Sequence, residues 1–110
     1  MTLSEIAKRL AALGNETRLD AYRLLVRAGD KGLTVKQLQQ SLGVPASTLS
    51  HHLHKLIEVR LVTQERDGTT LICRADYNVM TTTFDFFASQ CCVDDETCCA
   101  SDNLKEQENE

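Results

Sequence analysis

The sequence predicts a mainly α fold with one small β-hairpin, in the order ααααββα. Three observations carry this. Apolar residues recur at helical spacing in five separate segments, a glycine closes each of the first three, and residues 61–74 instead show the alternation and turn residues of a hairpin.

In the first segment Leu3, Ile6, Leu10 and Leu13 follow one another at intervals of three and four, behind Thr2 and Glu5 at capping-box spacing, with Gly14 as the stop. After Asn15, Leu19, Tyr22, Leu24, Leu25 and Val26 form the broad apolar stripe of a second helix that Gly29 ends. Thr34 and Gln37 repeat the capping-box pattern before Leu38 and Leu42, and Gly43 closes a third helix of barely two turns. Pro45 then introduces a fourth, whose buried stripe is Leu49, Leu53, Leu56 and Ile57. Its other face carries Ser47, Ser50, His51, His54 and Lys55, with no carboxylate before Glu58. Leu61 and Val62 open the hairpin, Asp67-Gly68 marks its turn, and Leu71 with Cys73 alternates against Ile72 and Arg74. Val79, Met80, Thr83, Phe84 and Phe87 have the spacing of a last helix.

A chain of 110 residues has room for one folded domain, and 42% hydrophobic with 25% charged residues is the mix of a soluble globule. No apolar run is long enough to span a membrane and the first residues lack the pattern of a secretory leader, so the expected location is the cytoplasm, with no membrane partner. Charge divides unevenly. Residues 1–83 hold 11 Lys+Arg against 8 Asp+Glu, and residues 84–110 hold 1 against 8. A nucleic-acid surface therefore belongs to the first part, despite a net charge of -4. The expected division is a DNA-binding and dimerisation domain over residues 1–90 and an acidic, cysteine-containing segment over 91–110.

Two short helices joined through SLGVP form a helix-turn-helix, whose second helix is expected in the major groove, and the hairpin after it acts as a wing. Lys55, Arg60, Arg66 and Arg74 are a modest basic footprint, which a symmetric dimer doubles. Phe84, Phe86 and Phe87, together with the apolar face of helix one, give a chain of this size a reason to dimerise. No catalytic constellation emerges. Ser47 or Ser50 beside His51 has no orienting acid, and no C-x-x-C redox motif is present, so an enzyme is not expected.

The segments LGNETRLDAYRLL, LTVKQLQQSLGVPASTLSHHLHKLIEVRLV and ERDGTTLICR, in this order, resemble the ArsR/SmtB family of winged-helix repressors. The resemblance implies a homodimer through the first and last helices, with Leu3, Ile6, Leu10, Met80, Phe84 and Phe87 at the interface. It also implies double-stranded operator DNA as partner, contacted by Ser47, Thr48, Ser50 and His51, with Lys55 beside them and Arg66 at the wing tip. Arg60 departs from the pattern, because a glycine usually precedes the LV pair there.

Five cysteines are an odd number: Cys73 is alone, and Cys91, Cys92, Cys98 and Cys99 form two vicinal pairs in CCVDDETCC. Thiolates select soft ions, and no histidine lies beyond Phe84. Adjacent cysteines fit a tetrahedral zinc site poorly, whereas trivalent arsenic is complete with three sulfurs. The segment also looks like that of an arsenic-responsive subgroup with C-terminal sensing cysteines, which implies Cys91, Cys92 and Cys98 as ligands of As(III), or Sb(III), with Cys99 as an alternate. The cysteine element near the recognition helix that other arsenic-responsive members carry is absent from LQQSLGVPAS. The resulting expectation is a repressor of arsenical resistance released from DNA by arsenite. Three alternatives stand beside it: a methylarsenite-selective repressor using one vicinal pair, a sensor of oxidants or reactive sulfur, and a thiol-rich metal buffer. Cys73 is expected to be an inert strand residue, and His51, His52 and His54 to face the groove or pack locally.

Overall fold

The computed structural model describes residues 1–95. Its elements are α1 (Leu3–Leu13), α2 (Glu16–Ala28), a 3-10 turn (Gly29–Lys31), β1 (Leu33–Thr34), α3 (Val35–Leu42), α4 (Ala46–Glu58), β2 (Val62–Asp67), β3 (Thr70–Ala75) and α5 (Tyr77–Gln90). The five helices and the hairpin follow the expected order, and β1 is an addition that turns ααααββα into ααβααββα. The strands form one antiparallel sheet in the order β1-β3-β2.

A two-residue strand leaves no periodicity to read. What makes it possible is Gly32, with φ +66, whose backbone lies so close to β3 that a Cβ there would stand 2.4 Å from the Cys73 carbonyl oxygen. Only glycine admits both the conformation and the approach. Leu33 then pairs with Cys73 and Thr34 with Ile72.

The helix ends follow the chemistry of their flanking residues. Thr2 and Thr34 each accept from the backbone N–H three residues on, with Glu5 and Gln37 returning the bond, and Asn15 caps α2 in the same sense. Asp76 caps α5 by accepting from Val79 N at 3.1 Å. The end of α4 is the exception. Leu61 N donates to Leu56 O at 3.1 Å and Arg60 N to Ile57 O at 3.0 Å, the pair of bonds that closes a helix through a left-handed residue. That residue is Arg60, at φ +67, where glycine would sit without strain.

Residues 1–80 form one compact unit and a second begins at Thr81. The core of the first is built on Leu25, Leu38, Leu49, Leu53, Leu56, Leu61, Val62 and Cys73, with Tyr22 beside them. In the second, among residues 81–95, Thr83 is buried, whereas Phe84 and Phe87 are 48% and 51% exposed. Phe86 and Phe87 meet edge to face at 5.2 Å. Among the described residues, no helix is long and apolar enough to cross a membrane.

Candidate nucleic-acid interface and thiol pair

Gly43, in the left-handed conformation at φ +66, ends α3, and Val44 and Pro45 lead directly into α4. Leu49, Leu53 and Leu56, all at most 2% exposed, fix α4 by one face. The opposite face is therefore presented, and Ser47, Thr48, Ser50, His51 and Lys55 are all exposed on it. Ser47, His51 and Lys55 stand at intervals of four, one above the other along the helix. Ser50 and His54 form a neighbouring row, and His54 Nε2 lies 3.2 Å from a Glu58 carboxylate oxygen.

The three histidines have different surroundings. His51 and His54 face solvent, but His52 is half-buried and its Nδ1 lies 3.2 Å from Nη1 of Arg18 on α2. A guanidinium can only donate, so Nδ1 is the acceptor and the His52 proton resides on Nε2. Burial first, then the charges of Arg18 and His51, hold its pKa below the ordinary 6.5, which keeps the ring neutral. Arg18 is itself anchored, its Nε donating to the Ala12 carbonyl at 2.6 Å near the end of α1. This link between α1, α2 and α4 went unseen in the sequence, because nothing local pairs Arg18 with a residue 34 positions away.

At the wing, β2 and β3 pair from Val62↔Ala75 to Asp67↔Thr70, leaving Gly68 and Thr69 as a two-residue loop. Gly68 supplies the positive φ, +65, that such a loop needs at its first position. Arg66 is exposed beside this loop. Arg74, part of the expected basic footprint, is committed elsewhere: it bonds Glu65 at 2.8 Å and the Asp30 carbonyl at 2.7 Å.

The cysteines separate by environment. Cys73 is fully buried on the central strand, and burial pushes its thiol pKa up against a contact with Gln64 Nε2 at 3.5 Å. Cys91 and Cys92 are exposed in the turn that follows α5, with Cys92 in the left-handed conformation at φ +57 and the two sulfurs 3.7 Å apart. Cys91 is a free thiol, and Cys92 is disulfide-bonded. Cys98 and Cys99 lie outside the described residues. Among the described residues, no group of three or more His, Cys, Asp and Glu side chains is placed to hold a metal ion. Of the residues expected at a dimer interface, Leu3, Leu10, Phe84 and Phe87 are exposed and Met80 is half-buried. Ile6 is 1% exposed within the single chain, so the apolar surface that α1 leaves uncovered is that of Leu3 and Leu10.

Residues 13–65, from the end of α1 into β2, match the family model described as a helix-turn-helix domain. The chain is 44% identical over 59 residues to the putative arsenical resistance operon repressor ArsR of Halobacterium salinarum, covering 54% of this chain and 45% of that protein. NolR from Sinorhizobium fredii is 30% identical with a TM-score of 0.62, over 76% of this chain and 81% of its own. The chain is a winged-helix protein of the ArsR/SmtB family. An ArsR-like transcriptional regulator from a Rhodococcus species has the same fold at a TM-score of 0.74 and 24% identity, over 92% of each chain.

Members of the ArsR/SmtB family are non-catalytic DNA-binding regulators. The present chain spans about half the length of the curated relatives it matches, 45% of the Halobacterium protein. The match ends in β2, so neither the second wing strand nor the thiol segment lies within it.

Proposed function

We propose that this ArsR/SmtB protein is an operator-binding repressor that acts as a homodimer and lets go of DNA when a trivalent arsenical is captured by Cys91 and Cys92. Ser47, Thr48, Ser50 and His51 read the major groove, while Lys55 and Arg66 hold phosphates. α1 and α5 join the two copies through Leu3, Leu10, Phe84 and Phe87, and the thiol segment follows the second of these helices.

One observation carries the arsenical reading: the Cys91 and Cys92 sulfurs stand 3.7 Å apart. Both sulfurs are exposed on one turn and nearly in contact, so once both are reduced they can close on one soft centre. Two sulfurs are the full requirement of methylarsenite, whose third position is carbon. With both thiols reduced, two As–O bonds give way to two As–S bonds and the thiol protons leave with two waters. Arsenite or antimonite requires a third sulfur, for which Cys98 is the candidate and Cys99 its substitute. The name of the Halobacterium relative supports arsenic as the inducer class.

A second reading rests on the two vicinal cysteine pairs of CCVDDETCC, close enough in sequence to exchange oxidation states. Here an oxidant takes two electrons from two thiols, two protons leave, and the new S–S bond signals stress. A bond between Cys91 and Cys92 themselves is disfavoured, because neighbouring Cα atoms stand about 3.8 Å apart, below the usual disulfide range. Oxidation on this reading therefore joins the first pair to the second.

Release from a selected operator duplex, followed by mobility shift in a reductant with arsenite, methylarsenite and zinc, and separately with peroxide, distinguishes these readings. Methylarsenite release that is lost in Cys91→Ser and Cys92→Ser but kept in the Cys98→Ser/Cys99→Ser double variant is the expected result. Arsenite release lost in that double variant establishes the three-sulfur site. Release by peroxide alone replaces arsenic with redox sensing.

A further inference from the structure

The exposed polar face of α4 carries few cations, and three arginines of the domain are already paired, Arg74 with Glu65, Arg23 with Asp20 and Arg9 with Glu5. Positive charge collects instead in a cleft of about 340 Å³ on the flank of α4, lined by Lys8 and Ala12 of α1, Arg18 of α2, and Lys55, Glu58 and Val59 at the end of α4. Lys8 and Lys55 are exposed, and neither they nor Arg18 forms an ion pair among the described residues. The single carboxylate, Glu58, is turned to His54 at 3.2 Å. Arg18 is held in place by its bonds to Ala12 and His52, so one wall of the cleft is a fixed guanidinium.

We infer that this cleft is a phosphate site, and that it takes a backbone phosphate of the DNA whose major groove receives α4. The inference rests on the operator-binding reading and adds Lys8 and Arg18 to the surface that performs it. Its placement follows from the helix. Lys55 is eight residues beyond Ser47 on the same row, about 12 Å along the axis at 1.5 Å per residue. The major groove is itself about 12 Å wide and bordered by phosphates. A helix that puts Ser47 against the bases therefore brings Lys55 to the border, where the cleft opens. Three cations from three helices, one of them anchored, suit a dense anionic charge, and such contacts orient a protein on the duplex without reading its sequence.

The test uses the full chain with Lys8→Gln and Lys55→Gln, both at exposed positions, and Lys31→Gln as an exposed lysine outside the cleft. Affinity for the operator and for an unrelated duplex is measured across salt concentration. Each cleft variant is expected to weaken both duplexes alike and to lower the salt slope by about one per protomer, while Lys31→Gln leaves the slope as it is. Unchanged slopes in both cleft variants, with the wild type binding normally, overturn the cleft and leave the operator-binding reading standing. A wild-type protein that binds neither duplex overturns that reading and the cleft with it. Thermal protection of the DNA-free wild type by millimolar inorganic phosphate, set against chloride at equal ionic strength and lost in the cleft variants without a slope change, assigns the site to a free oxyanion and overturns DNA as its ligand.

Discussion

α4 and the part of α5 beyond Thr81 are both amphipathic, yet their apolar residues have opposite fates. Leu49, Leu53 and Leu56 of α4 are all at most 2% exposed, and the polar face that remains is free to meet a ligand. In α5, Phe84 and Phe87 remain about half exposed, and among residues 81–95 only Thr83 is buried. A helix whose apolar stripe is satisfied within its own chain can present chemistry to a partner. One whose aromatic residues stay in water lowers its free energy by covering them, and a second copy of the chain is the proposed cover. Cys91 and Cys92 follow directly after α5 in the chain.

Leu53→Ala leaves a cavity in the core and is expected to cost about 2–5 kcal/mol of stability in chemical denaturation. Phe84→Asp is expected to leave monomer stability within about 1 kcal/mol of wild type and to weaken self-association ten- to hundredfold in sedimentation equilibrium, about 1.4–2.8 kcal/mol. If Phe84→Asp unfolds the chain as Leu53→Ala does, the contrast between the helices is wrong. A smaller effect of opposite sign is expected at the C-terminal end of α4, where Arg60→Gly relieves the left-handed conformation and raises stability by about 1 kcal/mol. Loss of stability there would mean that the Arg60 side chain contributes more than its backbone costs.

The smallest effect sharpens the picture of how α4 is held. His52 has a folded-state pKa below its ordinary value of 6.5, so the unfolded chain binds the proton more readily. The contribution of neutral His52 is therefore complete above pH 6.5 and is lost as pH falls through that value toward the lowered one. Denaturation curves collected from pH 7.5 down to pH 5 should show this loss in the wild type and not in His52→Gln. An identical pH dependence in the two proteins would remove His52 from the account.

Legibility followed the range of the interactions involved. Caps at Thr2, Asn15 and Thr34, the stops at Gly14 and Gly43, and the turn at Gly68 depend on neighbours within four residues, and each was readable from type and spacing. The buried stripe of α4 was readable for the same reason, since helical periodicity is local. The family pattern usually has glycine where Arg60 stands, which left the turn there in question; the backbone keeps the left-handed closure and the arginine adopts it, because the bonds to Leu56 and Ile57 oxygens do not depend on the side chain.

The helices, the hairpin, the polar face of α4 and the gathering of four cysteines at the acidic end were legible in the chain, because each is written in local periodicity or composition. Tertiary structure alone decided the rest. β1 exists because Gly32 lets the chain approach Cys73 across 41 positions. Cys73 is sealed because it lies on the strand between two others. Arg74 is withdrawn from the basic surface by Glu65 and Asp30, and Lys8, Arg18 and Lys55 share a cleft although they come from three helices. Contacts between residues far apart in the chain depend on how the elements pack, and a single sequence carries no local trace of that packing.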